Sequence, residues 1–171
     1  MFTCSLQCLH IYDVEQKFTL IKKFGEKDGY DQWIYVLSVS WDDRYLASGD
    51  NLGRVRLNKI GNNFQKIKSL HHHNLWVTSL VFSKKNNHLV TGSADMSIFI
   101  YSINNHFSMC FNILFCHQDV VRTIIYSKDE KYLLSASYDK SLAIYNVENN
   151  YQPKAVLKNF HDDKIREIKF S

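Results

Sequence analysis

Short apolar runs separated by polar turns make up most of this chain. Between residues 76 and 115 the runs are Trp76–Phe82, His88–Gly92, Ser97–Ile103 and Met109–Phe115, each rich in β-branched or aromatic residues. Runs of this length with alternating or continuous hydrophobicity indicate strands rather than helices. The turns between them are rich in Asn, which bonds to nearby backbone and tolerates left-handed conformations. The pattern predicts an all-β chain with four antiparallel strands in about 44 residues.

The same pattern recurs at a fixed period. His73, His117 and His161 lie 44 residues apart. The first two are followed 22 residues later by an aspartate and six residues after that by a tyrosine, which gives Asp95 with Tyr101 and Asp139 with Tyr145. A period of about 40–45 residues is typical of a β-propeller, in which each repeat forms one four-stranded blade.

The repeats predict one continuous array. Its expected parts are a partial blade at residues 1–24, full blades at 32–70, 73–115 and 117–158, and the first strand of a further or closing blade at 161–171. The copy that starts at Gln32 is the weakest, because it has Gln32 at the histidine position and Leu52 at the aspartate position. The array therefore begins and ends in mid-repeat.

These residues resemble the WD40 repeat family over nearly the whole chain. In that family a histidine, a serine or threonine, an aspartate and a tryptophan form a hydrogen-bonded tetrad inside the blade. The resemblance assigns the tetrad to His73, Thr91, Asp95 and Tyr101, to His117, Ser135, Asp139 and Tyr145, and its histidine alone to His161. Buried imidazole and carboxylate groups need partners, so the tetrad would tie the loop between blades to a turn. Two features depart from the family: tyrosine replaces tryptophan, and His72, Cys116 or Phe160 replaces the usual glycine before the histidine.

A closed WD40 ring usually has more blades than this array, and three interpretations follow. The chain is part of a longer propeller, or it pairs with another half propeller, or it closes on itself through residues 164–170, which would complete the blade begun by residues 1–24. An open array leaves strand edges and apolar blade faces uncovered, which favours self-association or binding to another propeller half.

Composition is typical of an intracellular protein, cytoplasmic or nuclear. The apolar runs are too short to cross a membrane, although 45% of the residues are hydrophobic. The N-terminus has no basic segment before an apolar run, so no signal peptide is expected. The four cysteines (Cys4, Cys8, Cys110 and Cys116) do not follow the repeat period and are expected to be free thiols.

No cofactor, metal site or catalytic site is predicted. The histidines at 71–73 have no cysteine or carboxylate at a zinc-type spacing. His117, Ser135 and Asp139 have the composition of a catalytic triad, but the same triplet recurs one repeat earlier, which is typical of a structural scaffold. We therefore expect a protein that is not an enzyme.

An interaction scaffold is the function that the sequence favours. In WD40 proteins similar to this one, partners bind at the channel mouth through the residues on either side of the apolar anchor of each first strand and through the residue before the turn aspartate. Tyr35, Trp76 and Lys164 stand before the anchor, Thr78, Arg122 and Arg166 stand after it, and Tyr138 precedes the aspartate. Tyr, Trp and Arg are common in binding hot spots, so these seven are the candidate partner-binding residues for a protein or peptide.

Two alternatives stay open for these residues and for the function. Tyr35 and Trp76 could instead only pack along the channel wall. The net charge of +4 and lysine pairs such as Lys84–Lys85 lead to a second hypothesis, an RNA- or ribonucleoprotein-associated propeller component.

Overall fold

The computed structural model describes residues 1–5, 7–13, 15–113, 116–159 and 161–170. The strands are β1 (Phe2–Ser5), β2 (Cys8–Asp13), β3 (Thr19–Phe24), β4 (Ile34–Val39), β5 (Tyr45–Asp50), β6 (Val55–Lys59), β7 (Lys66–Leu70), β8 (Val77–Phe82), β9 (His88–Ser93), β10 (Ile98–Ser102), β11 (Ser108–Ile113), β12 (Val121–Tyr126), β13 (Tyr132–Ser137), β14 (Leu142–Asn146) and β15 (Gln152–Leu157). Two short 3-10 helices at Glu26–Asp28 and Asn62–Phe64 complete the elements of the described residues. The predicted all-β class is confirmed. Phe115, Phe160 and Ser171, which the sequence analysis used, lie outside the described residues.

The strands form four separate antiparallel sheets, which we number as blades in chain order. The first blade has three strands in the order β1-β2-β3, and the second (β4–β7), third (β8–β11) and fourth (β12–β15) have four strands each. Within each blade every strand pairs with its neighbours in sequence, as expected when short β-branched and aromatic runs are joined by tight turns. The structure thus confirms blades of the WD40 propeller type, and the ring is not closed.

The hydrophobic core lies between the blades. Three buried clusters join the first blade to the second, the second to the third and the third to the fourth. Fully buried members of these clusters include Leu9 with Leu46, Leu57 with Leu89, and Ile100 with Leu133. Because successive side chains of a strand point to opposite faces, each inner blade can bury one face on each neighbour.

Neighbouring blades approach each other closely at a glycine of the second strand. A Cβ atom on Gly49 would lie 2.6 Å from Val77 Cγ1, and a Cβ atom on Gly92 would lie 2.6 Å from Ile124 Cδ1. Carbon atoms that are not bonded prefer about 3.5–4.0 Å, so no larger residue fits without a shift. The strands β4, β8 and β12 lie side by side in consecutive blades. The residues at the starts of these three strands therefore share one surface of the array.

Residues 161–170 follow the fourth blade without forming a strand, although the sequence predicts one there. Ile165 is buried, and its N–H donates to the carbonyl oxygen of Ser137 at 3.3 Å. Phe170 lines a cavity together with Leu134 and Ile144 of the fourth blade. A strand needs a ladder of hydrogen bonds to a neighbour, and among the described residues the bond from Ile165 to Ser137 is the one backbone hydrogen bond that joins this segment to a strand. Nor does it pair with β1, so the interpretation of self-closure has no counterpart in the structure.

Candidate functional site

The third blade contains a hydrogen-bonded network around a buried histidine. His73 Nδ1 lies 3.1 Å from Asp95 Oδ2, and its Nε2 lies 2.7 Å from Thr91 Oγ1. A carboxylate only accepts hydrogen bonds, so Nδ1 carries the proton and Nε2 accepts from the threonine hydroxyl. Asp95 also accepts the backbone N–H groups of Asn74 at 2.9 Å and Ser97 at 3.0 Å. The network ties the loop before β8 to the turn between β9 and β10.

The fourth blade repeats this arrangement. His117 Nδ1 lies 3.3 Å from Asp139 Oδ2, and Nε2 lies 2.7 Å from Ser135 Oγ. Asp139 accepts the backbone N–H groups of Gln118 at 2.7 Å and Ser141 at 2.8 Å. The structure therefore brings together the predicted histidine, serine or threonine, and aspartate in both blades. His161, the third histidine of the series, is exposed.

A serine two residues after each turn aspartate also belongs to the network, and the sequence analysis missed it. Ser97 Oγ lies 3.0 Å from His73 Nδ1, and Ser141 Oγ lies 2.7 Å from His117 Nδ1. The recurrence of serine at the same repeat position was a signal that could have identified both residues.

Burial and hydrogen bonding act in opposite directions on the two carboxylates. Burial alone would raise the pKa of Asp95, but hydrogen bonds, foremost from His73, hold that pKa well below its ordinary value. The pKa of Asp139 is lowered in the same way, with Ser141 as the leading donor. Burial lowers the pKa of His117 more than the nearby Asp139 raises it. The network of the fourth blade thus combines an ionised carboxylate with a neutral imidazole near pH 7.

The two departures from the WD40 pattern compensate each other. Tyr101, which stands in place of tryptophan, has its hydroxyl 3.0 Å from Nδ1 of His72, which stands in place of glycine. In the next blade Cys116 packs against the cluster that contains Tyr145, and the hydroxyl of Tyr145 lies 3.3 Å from Ser135 Oγ. A phenol places its donor differently from an indole. In the third blade, His72 therefore supplies a hydrogen-bond partner for the displaced tyrosine hydroxyl.

The second blade uses a different residue at the histidine position from the one that the sequence analysis assigned. β4 begins at Ile34 and β8 begins at Val77. Tyr30 therefore stands four residues before its strand, as His73 does, and the assignment of Gln32 to this position is wrong. The loop before β4 (residues 25–33) is longer than the loop before β8 (residues 71–76), and alignment on Gln32 therefore placed the histidine position two residues too late.

A network of arginines and aspartates replaces the tetrad in this blade. The Arg56 guanidinium lies 4.9 Å from the centre of the buried Tyr30 ring. Arg54 donates from Nε to Asp50 and from Nη2 to Asp31, both at 2.7 Å. The hydrogen bond from Arg54 lowers the pKa of Asp31 to about 2. Charged pairs thus join the loop before β4 to the turn after β5, and nothing in the sequence analysis anticipated them.

The residues that have the composition of a catalytic triad are buried inside their blades. Ser135 and Thr91 have 0% exposed surface. A nucleophile must reach its substrate, so these hydroxyls cannot act as one in this fold. His72 and His73 each use a ring nitrogen within the third blade, on Tyr101 and on the Asp95 network.

A β-bulge interrupts the first strand of each four-stranded blade at an equivalent residue. The pairing register skips Tyr35 in β4, Thr78 in β8 and Arg122 in β12. A bulge redirects the extra side chain, so three candidate residues owe their direction to the same backbone feature. Tyr35 is therefore equivalent to Thr78 and Arg122, not to Trp76 as the sequence analysis had it. The residue equivalent to Trp76 is Trp33, which was missed.

A cavity of about 250 Å³ opens where these strands begin, and we call its lining the mouth surface: Tyr35, Trp76, Thr78, Val120, Arg122 and Tyr138. The rings of Tyr35 and Trp76 are stacked, with centroids 5.5 Å apart and planes at 18°. They are 46% and 47% exposed, so each presents about half of its surface to a ligand. The Lys164 ammonium lies 5.0 Å from the Tyr138 ring, and Arg166 lines a neighbouring cavity that also contains Arg122. Five of the seven candidate residues share one cavity, and the other two lie beside it.

Two segments match the family model described as WD domain, G-beta repeat, at residues 64–102 and 108–146. Each match runs from the end of one blade, through the loop that carries His73 or His117, to the third strand of the next blade. The chain is a WD40-repeat protein. WD40 repeats generally mediate protein–protein interactions and generally act as non-catalytic scaffolds.

One curated relative of this WD40 protein is the 66 kDa stress protein of Physarum polycephalum. The two are 25% identical over 96 residues, which is 56% of this chain and 16% of the relative. The chain therefore matches only a small part of the relative's length. Among the residues that the structure describes, no helix is long and apolar enough to cross a bilayer.

Proposed function

We propose that the mouth surface binds a short segment of a partner protein that carries an apolar side chain next to an acidic one. The observation that carries this proposal is the cavity of about 250 Å³ in which Tyr35, Trp76 and Tyr138 meet Arg122. Three blades contribute to this lining, so the ligand would contact the array rather than a single repeat. Aromatic residues and arginine at the centre of a concave surface are typical of binding hot spots.

The aromatic pair is suited to an apolar side chain. Tyr35 and Trp76 remain about half exposed although they stack on each other. If they served only to pack the channel wall, burial of most of their surface would be expected, as for Tyr101 and Tyr145, which are 0% exposed. Rigid aromatic rings also offer contact area at a low cost in conformational entropy.

The guanidinium of Arg122 is suited to an anion. Among the described residues it has neither an ion pair nor a hydrogen-bond acceptor of its own, whereas Arg54 and Arg56 of the second blade are paired with Asp31. An arginine without an acceptor at the edge of an apolar cavity can hold a carboxylate through two parallel hydrogen bonds.

The charges around the mouth favour a peptide over RNA. Acidic residues stand next to the basic ones: Asp119 precedes Val120, and Asp162 and Asp163 precede Lys164. A polyanion gains affinity from many phosphate contacts on a continuous basic surface, and these carboxylates would repel it. A peptide with a single anion needs only the local positive charge of Arg122.

Peptides selected from a random display library on the whole chain test the proposal. The selected sequences should share an apolar residue beside an acidic one. They should lose at least about tenfold in affinity for the double variant Trp76→Ala, Arg122→Glu, because both halves of the site are removed. The matched double variant Lys84→Ala, Lys85→Glu changes a turn at the opposite end of β8 and should bind like the unchanged chain.

Peptides that bind the unchanged and the Trp76/Arg122 variant equally would show that the site lies elsewhere. Tight binding of random-sequence RNA that depends on Lys84 and Lys85 would instead favour the nucleic-acid hypothesis.

A further inference from the structure

A second cavity continues from the mouth surface along β8 and β12. It has a volume of about 390 Å³ and is lined by Thr78, Ser79, Arg122, Thr123, Arg166 and Glu167. Thr78 and Arg122 line both cavities, so a ligand in the aromatic cavity can extend into the second one. Whereas the first cavity is aromatic, the lining of the second consists entirely of polar and charged side chains.

Most of this lining offers hydrogen-bond donors that have no acceptor. Ser79 is 8% exposed, and its Oγ accepts the backbone N–H of Ile124 at 3.0 Å, which leaves its hydroxyl proton without an acceptor among the described residues. The Thr123 hydroxyl and the guanidiniums of Arg122 and Arg166 also have no partner within that part of the chain. Arg166 is exposed and Arg122 and Thr123 are half-buried, so these donors are accessible to a ligand. A ligand that only accepts hydrogen bonds would satisfy this set.

The acidic side chain in the lining does not cancel the positive charge. Glu167 Oε1 lies 3.0 Å from the ammonium of Lys169, which supplies a counter-charge outside the cavity. Thr78 contributes no donor, because its hydroxyl already donates to the carbonyl oxygens of Gly92 and Val121. Two guanidiniums and two hydroxyls therefore remain for an anion.

The number of donors and the charge distinguish between two anions. A carboxylate carries one charge on two oxygens, whereas a phosphorylated side chain carries about −1.5 to −2 on three acceptor oxygens at pH 7. Two arginines match the larger charge, and the forked guanidinium geometry suits phosphate oxygens. One carboxylate would leave one arginine and at least one hydroxyl without an acceptor.

We infer that the second cavity is a subsite for a phosphomonoester, supplied by a phosphorylated side chain of the peptide whose apolar neighbour lies between Tyr35, Trp76 and Tyr138. This inference rests on the proposed function and makes it specific: the partner would be recognised after phosphorylation. Arg122 lies between the two cavities and contacts either anion, while Arg166 and Thr123 contact only the phosphate.

Four probes test the subsite by calorimetric titration of the whole chain: an end-blocked leucine–phosphoserine peptide, the same peptide with glutamate, the same peptide with serine, and inorganic phosphate. We expect the phosphoserine peptide to bind at least about tenfold more tightly than the glutamate peptide. Arg166→Gln should remove most of that difference, and Thr123→Val, which keeps the shape, should reduce it by about threefold. Lys84→Gln removes the same charge at the far end of β8 and should change nothing.

The outcomes separate this inference from the proposed function. If both acidic peptides bind equally and Trp76→Ala weakens both, the mouth binds peptides and the phosphate subsite is refuted. If Arg166→Gln weakens the glutamate and phosphoserine peptides by the same factor, the subsite is also refuted. If inorganic phosphate binds in a manner that depends on Arg166 and the leucine adds nothing, the subsite stands and the peptide function fails.

Discussion

Removal of the Asp139 carboxylate should destabilise the fourth blade by about 2–3 kcal/mol. Four donors lose this acceptor in Asp139→Ala: the imidazole of His117, the hydroxyl of Ser141, and the backbone N–H groups of Gln118 and Ser141. Gln118 is exposed and can turn to water, whereas Ser141 is buried, and an unsatisfied buried donor costs about 1–3 kcal/mol. His117 keeps one acceptor, the Ser141 hydroxyl at 2.7 Å, which limits its share of the loss.

Urea unfolding followed by circular dichroism measures this loss, and Glu148→Ala is its control. Glu148 is exposed, and its substitution should change the free energy of unfolding by less than about 0.5 kcal/mol. Because blades contact only their neighbours, amide hydrogen exchange should accelerate more in β13 than in β5. Equal unfolding midpoints for the two variants would refute the role given to the network.

The same network predicts a dependence on pH. The pKa of Asp139 is lowered in the folded chain, so its contribution is complete above the pKa of an unfolded aspartate, about 3.9, and is lost as the pH falls further. The difference in stability between the unchanged chain and Asp139→Ala should therefore be present at pH 5 and shrink as the pH falls below about 4. A difference that stayed the same from pH 5 to pH 2 would contradict the assignment.

Two further predictions concern other blades. Gly92→Ala should cost about 1–3 kcal/mol of stability in urea unfolding, because the new Cβ would lie 2.6 Å from Ile124 Cδ1, and the second change Ile124→Val should recover part of the loss by removing that methyl group. The pKa of Asp31 is lowered to about 2 by Arg54, so this carboxylate should support the second blade fully above about pH 4. Asp31→Asn should therefore lower the melting temperature slightly at pH 6, because a partly exposed pair contributes little, and by less at pH 2. An equal difference at both pH values would refute the pairing.

The sequence alone predicted the fold class and most of the tetrads because these depend on local and periodic signals. Strands of this kind need only alternation and turn residues, and two copies with the same spacing fixed His73 and His117 as equivalent. The network of the second blade was not predicted, because it uses Tyr30 and Arg56 in place of the repeated residue types. Register in that blade is set by strand pairing, which no single segment reveals.

The turn before the last strand of each blade shows a second limit of sequence reasoning. In all four blades two consecutive residues of this turn have positive φ, and the second is aromatic: Phe18, Phe64, Phe107 or Tyr151. Local preference argues against a bulky residue in this conformation. Phe107 and Tyr151 are nevertheless buried, and the Tyr151 hydroxyl lies 2.8 Å from both His88 Nδ1 and the Tyr126 hydroxyl. Packing between distant segments therefore outweighs the conformational cost of a positive φ at these residues. The sequence pattern does not show this packing.

The third limit concerns residues 161–170, where propensity predicted a strand. Ile165 occupies its expected buried position on the fourth blade. Strand structure is a property of a pair, however, and propensity describes only one partner. The apolar anchor therefore follows from the sequence, whereas the hydrogen-bonded strand would require a neighbour.

The arrangement of the first strands separates stability from recognition. Val77 and Val121 pack into the preceding blade, and the next residue along each strand, Thr78 or Arg122, lies in a bulge outside the ladder. Because the bulge residue lies outside the ladder of backbone pairs, its side chain is not fixed by a cross-strand partner, and the three blades have tyrosine, threonine and arginine there. Substitution of Arg122 should therefore change binding and leave unfolding nearly unaffected, whereas substitution of Val121 should do the reverse. This separation makes the variants of the mouth surface interpretable as tests of binding.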